Sequence, residues 1–153
     1  MIPDTLDRWT NVAVHGLLAK RGLESDRVEF KLQLPGERKG KVRLRRTCAA
    51  FANSGGGFLL FGIHDDREKA VFERMVGIEP TLDFAQHFSP FPGECTPSVD
   101  WDFKNPPIVL SNDRVIHVVQ IHDGWRPPYG LRIKDGPIEF DKRTNGGNER
   151  MSY

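Results

Sequence analysis

The strongest constraint on how this chain folds is the run Phe58-Leu59-Leu60-Phe61-Gly62-Ile63, entered directly from Asn53-Ser54-Gly55-Gly56-Gly57. An apolar run of that length, bounded by turn residues, fits a central strand covered on both faces. The glycines before it supply the positive φ that closes a helix. Upstream, Lys41 to Asn53 puts Leu44, Cys48, Phe51 and Ala52 on one helical stripe, with arginines on the other faces. A helix therefore feeds straight into a buried strand, which calls for a layered α/β architecture.

The remaining periodicities fill in that architecture. Leu6 to Lys20 carries Val12, Val14, Leu17 and Leu18 at helical spacing before Gly22, and predicts an opening helix. Val28, Phe30, Leu32 and Leu34 alternate with Glu29, Lys31 and Gln33, the pattern of a half-buried strand that ends at Pro35 and sets Glu29 and Lys31 on one face. Val71 to Ile78 is expected to be a further strand, Thr81 to Phe88 a short helix, and Val99 to Phe103 an edge strand in a proline-rich stretch. Val115 to Ile121 reads as a clear strand and Pro137 to Lys142 as the last one. The expectation is an α/β (α+β) fold, a mixed β-sheet flanked by helices.

With 153 residues, 38% of them hydrophobic, the chain can bury one core but not comfortably two. The expected organisation is an N-terminal helical extension over residues 1–20 and one domain over 21–150. Cys48 and Cys95 show no disulfide or zinc spacing, so no zinc is expected and a reducing, cytoplasmic setting is predicted. No segment reaches the roughly 20 apolar residues that span a bilayer, and the N-terminus lacks the pattern of a signal peptide.

Net charge is only +1, but it is segregated. Arg38, Lys39, Lys41, Arg43, Arg45 and Arg46 face a single Glu37, which gives this stretch a local +5. Cations in the first turn of a helix oppose its macrodipole at about 0.3–1 kcal/mol each, a cost that an anionic partner offsets. A phosphate backbone is such a partner, and Arg43 and Arg46, one turn apart, are placed to hold successive phosphates. A solvated helix face is the alternative. The triple glycine lies between helix and strand, the reverse of a phosphate-cradling loop, and is read as a helix stop.

Glu24 and Glu29 flank the start of the first strand, and Asp65 follows the buried strand, where α/β folds place ligand-binding groups. If those strands are neighbours the three carboxylates converge, and hard oxygen ligands of this kind suit Mg²⁺ or Mn²⁺. Lys31 then stands beside Glu29, ready to steady charge or orient water. His64, next to Asp65, is a candidate neighbour of the site. Isolated surface charges are the alternative for each carboxylate.

Taken together, Glu24-Ser25, Glu29-Phe30-Lys31, Ala50-Phe51-Ala52-Asn53-Ser54-Gly55-Gly56-Gly57, Gly62-Ile63-His64-Asp65-Asp66 and Val76-Gly77-Ile78 resemble the Schlafen AlbA-type domain family. Arg126-Pro127-Pro128-Tyr129 and Asp141-Lys142-Arg143-Thr144-Asn145-Gly146 add weaker echoes, so the resemblance covers about residues 20 to 148. It implies a single Schlafen-like lobe and, from the family's ribonucleases, a metal-dependent endoribonuclease acting on structured RNA such as transfer RNA. Glu24, Glu29 and Asp65 match that family's metal ligands, with Asp66 as the fallback. Lys142 and Arg143 join Arg38, Lys39, Lys41, Arg43 and Arg46 as expected nucleic-acid contacts. The resemblance equally allows a non-catalytic domain, since bacterial relatives are described as DNA-binding, ATP-binding or regulatory. One lobe in place of the two found in vertebrate members implies a homodimer, or a fragment of a longer protein.

Overall fold

The computed structural model describes residues 2–20, 27–144 and 147–151. Its main sheet contains β1 (Val28–Lys31), β2 (Gly57–Phe61), β3 (Trp101–Phe103), β4 (Ile108–Val109) and β5 (Val115–Ile121), in the order β1-β2-β5-β3 with β4 also paired to β5. β1 and β2 run parallel, Glu29 opposite Leu59 and Lys31 opposite Phe61, while β5 is antiparallel to its neighbours. The parallel pair is joined by the crossover helix α2 (Arg38–Asn53), as parallel strands require.

Alternation across the two central strands builds a core on each face. Leu59, Phe61, Val119 and Ile121 pack toward Leu44, Cys48, Phe51 and Ala52 of α2. Phe58, Leu60, Ile116 and Val118 pack on the other side with Trp9 and with Val14, Leu17 and Leu18 of α1 (Asn11–Ala19). The N-terminal residues thus belong to the core, and Trp9 is fully buried against Phe58.

The glycine stretch does more than end α2. Gly56 has φ +80°, and a Cβ there would lie 2.6 Å from the Ile121 carbonyl, while one on Gly57 would collide with the Phe51 ring. Only glycine lets helix, turn and sheet approach so closely.

A second sheet, β6 (Gly130–Arg132), β7 (Ile138–Thr144) and β8 (Gly147–Arg150), is antiparallel throughout and is tied to α2. Asn53, the last residue of α2, makes the tie: its Nδ2 donates to the carbonyls of Tyr129 and Asp141 at 2.8 Å each, and its Oδ1 accepts from the Tyr129 amide at 2.7 Å.

Several elements differ from expectation. The opening helix is two pieces, a 3-10 turn at Leu6–Arg8 and then α1, because Thr10 caps α1 by accepting from the Ala13 amide. Val71 to Ile78 is no strand. Val71–Arg74 forms a short helix α3, in which Glu73 accepts from the Ala70 amide, and only Met75 and Ile78 make isolated bridges, to Ile63 and Val115. The short helix expected from Thr81 starts at Phe84, as α4 (Phe84–Phe88), with Asp83 capping it, and Pro90–Gly93 adds a further turn of helix, α5. β6 and β8 were not expected.

Candidate nucleic-acid interface

α2 begins immediately after Pro35-Gly36-Glu37, and Glu37 provides no side-chain cap. Its first turns instead carry Arg38, Lys39, Lys41 and Arg43, all exposed and none paired with a carboxylate among the described residues. Four uncompensated cations there add to the positive end of the helix dipole. A groove of about 840 Å³ runs alongside Arg38, Lys39 and Arg43, with Glu37 at the helix start and Ile133 and Lys134 of the β6–β7 turn also lining it. Lys134, whose backbone sits at φ 55°, is a contributor that sequence reasoning missed. Only its position in a turn, next to Asp135 and Gly136, hinted at exposure.

The other basic candidates divide. Arg46 also borders the groove, but its guanidinium is bound to Glu139 and Asp141 of β7. Burial works against its charge, yet the hydrogen bond to Glu139 and the proximity of Asp141 outweigh that and hold Arg46 above its ordinary range. The same contact with Arg46 pulls Glu139 below the usual carboxylate range. Arg150 approaches both acids as well, at 3.0 and 3.5 Å. Lys142 is exposed on β7. Arg143, its neighbour, points the opposite way, into the protein, as strand alternation requires.

The carboxylates also divide. Glu29 is buried on the α2 side of β1, where Arg143 Nη1 donates to its Oε1 at 2.8 Å and Lys31 Nζ lies 3.2 Å from its Oε2. Arg143 stacks over Phe51 at 4.4 Å and also donates to Asn148, whose amide reaches Thr47 of α2. Asp65 stands beyond the end of β2, six residues past Leu59, the register partner of Glu29. Its side chain is 71% exposed and 4.0 Å from His64 Nδ1. Asp66 accepts from the Glu68 amide. Glu24 lies outside the described residues. Among the described residues, which do not include Glu24, no group of three His, Cys, Asp or Glu is placed to hold a metal ion.

Both cysteines are buried. Burial drives the Cys48 thiol well above its usual range and pushes Cys95 up to about 12, so neither is a nucleophile at neutral pH. Among the described residues, no helix is long and apolar enough to cross a membrane.

The family described as Schlafen, AlbA_2 matches residues 24–152, and the chain belongs to that family. Membership suggests a nucleic-acid-related domain. Among curated proteins, no sequence matches the chain significantly. Among solved structures, the chain is similar to the DIP2311 protein from Corynebacterium diphtheriae, with 16% identity and a TM-score of 0.48. That likeness covers 90% of this chain and 29% of the other, so the chain spans less than a third of the DIP2311 protein's length.

Proposed function

We propose that this domain binds the phosphate backbone of structured nucleic acid along the start of α2. The observation that carries this reading is the set of four exposed cations, Arg38, Lys39, Lys41 and Arg43, without acidic partners among the described residues, while Arg46 a turn later is fully engaged by Glu139 and Asp141. Surface arginines that serve only solubility are commonly interspersed with acids, whereas here Glu37 is the single acid among the cations of the α2 start. Binding releases counterions, so affinity for a short RNA or DNA duplex falls steeply with salt. Fluorescence anisotropy across about 50 to 200 mM salt tests this. A loss of about 100-fold, the value for four phosphate contacts, supports the reading, and a flat profile refutes it.

A second reading, metal-dependent endoribonuclease action on RNA such as transfer RNA, draws support from the parallel pairing of β1 and β2, which makes the strands leading to Glu29 and Asp65 neighbours. Mg²⁺ or Mn²⁺ would compete at Glu29 with Arg143 and Lys31. Cleavage of purified transfer RNA with either ion, abolished by Asp65→Asn, supports it. Asp65 is the informative position because it is exposed and its replacement spares the fold. Equal cleavage by wild type and Asp65→Asn removes this assignment.

A further inference from the structure

A second cleft is lined by the residues that follow β1. It lies beyond the carboxyl ends of β1 and β2, the position at which parallel strands joined by a crossover helix present ligand sites. Its volume is about 550 Å³, inside the range of roughly 300–1,000 Å³ typical of small-molecule pockets. Leu32, Leu34 and Pro35 form one wall, and Val76, Ile78 and Leu82 the other. Arg114 stands at the mouth, its Nε held by the Gly77 carbonyl at 3.1 Å, which leaves the rest of its guanidinium fork to face a ligand. Leu34, Pro35 and His87 continue into an adjoining hollow of about 320 Å³ that reaches Lys41.

Apolar walls and a cationic mouth are joined here to the very helix start that holds phosphates in the reading above. Of the two acids there, Glu94 is bound by Arg45, and Glu79, which accepts from the Thr81 hydroxyl, keeps its charge and favours a neutral ring over a phosphate on its side of the cleft. We infer that this cleft receives one unpaired nucleobase, its ring against Leu34 and Pro35 and its flanking phosphates on Lys41 and Arg114. The inference rests on the proposed binding of nucleic acid at α2 and specifies its target as a strand with a looped or bulged base, not a uniform duplex. Apolar contact in such a slot is tolerant of base identity, because every base offers a flat face of low polarity to Leu34 and Pro35.

The test compares a blunt RNA duplex bearing one added terminal phosphate with the same duplex carrying instead a bulged 2-aminopurine, so that the numbers of phosphates are equal. Anisotropy at fixed salt should show about tenfold tighter binding of the bulged RNA, the gain expected for burying about 55 Å² of apolar surface. The 2-aminopurine emission should change on binding. Leu34→Gln, and Leu32→Gln at a more exposed wall position, should bring the preference below about twofold while leaving duplex affinity and the salt slope intact. Two variants are used so that a folding defect in one, detected by thermal melting, leaves the other decisive. Equal affinity of the wild type for both RNAs, or an undiminished preference in a folded variant, overturns the cleft assignment but leaves backbone binding standing. Failure of both RNAs to bind at low salt overturns both readings.

Discussion

Arg143 Nη1 donates to Glu29 Oε1 at 2.8 Å, a contact that joins the first strand of the main sheet to the second sheet across 114 residues of sequence. The Arg143 side chain is fully buried and that of Glu29 is 12% exposed. Removing either partner therefore strands a charge in a poorly solvated place. Arg143→Ala is expected to cost about 3–5 kcal/mol in chemical denaturation, and Glu29→Ala a similar amount. The double replacement Glu29→Ala with Arg143→Ala should cost clearly less than the sum of the two single changes, a non-additivity that this mutant cycle measures directly. Loss of RNA cleavage in a Glu29 variant is accordingly informative only beside an unfolding curve.

Asn53 holds the two sheets together from the end of α2. Asn53→Ala leaves the Tyr129 amide and two carbonyls without their partner, at about 1–3 kcal/mol for a stranded buried group. Urea unfolding should show a lower midpoint, and hydrogen exchange should accelerate first in β6 and β7.

His117 gives a pH dependence. It stacks on Phe84 at 4.1 Å, neither ring nitrogen has a hydrogen-bond partner among the described residues, and burial brings its pKa down from 6.5 to about 4. Between those values the unfolded chain takes up a proton that the folded chain refuses. Stability therefore falls as pH drops below about 6.5, with a slope approaching 1.4 kcal/mol per unit. His117→Phe removes this slope and keeps the stack. Melting temperatures of the two proteins measured from pH 7 to pH 5 should diverge progressively, the wild type losing more.

The parts of the fold that could be read from the sequence are those fixed by local pattern. The Phe58 to Ile63 run and the apolar β5 stretch are short buried segments bounded by turn residues, and the α2 stripe follows from the helical period. Glu29 and Lys31 fall on one face for the same reason. What stayed hidden depends on partners far away in the chain. Nothing near Arg143 in sequence distinguishes it from exposed Lys142, and its burial follows from the register of β7 against α2. Arg46 looked like its neighbour Arg43 until Glu139 and Asp141 were brought to it. Val71 to Ile78 has the composition of a strand, but Glu73 closes a helical turn and Arg74 turns inward to donate to the His64 carbonyl. The expected convergence of Glu24, Glu29 and Asp65 includes one residue outside the described ones.

The central claim is that the α2 start carries the nucleic-acid contact. The most direct measurement is the dependence of log Kd on log salt for a fixed RNA duplex, wild type against the variant with Arg38, Lys39, Lys41 and Arg43 all changed to Gln. These side chains are exposed, so the variant should fold normally. The predicted result is weaker binding at low salt and a slope reduced by roughly three to four, about one for each phosphate no longer neutralised. An unchanged slope and affinity in a folded variant would contradict it.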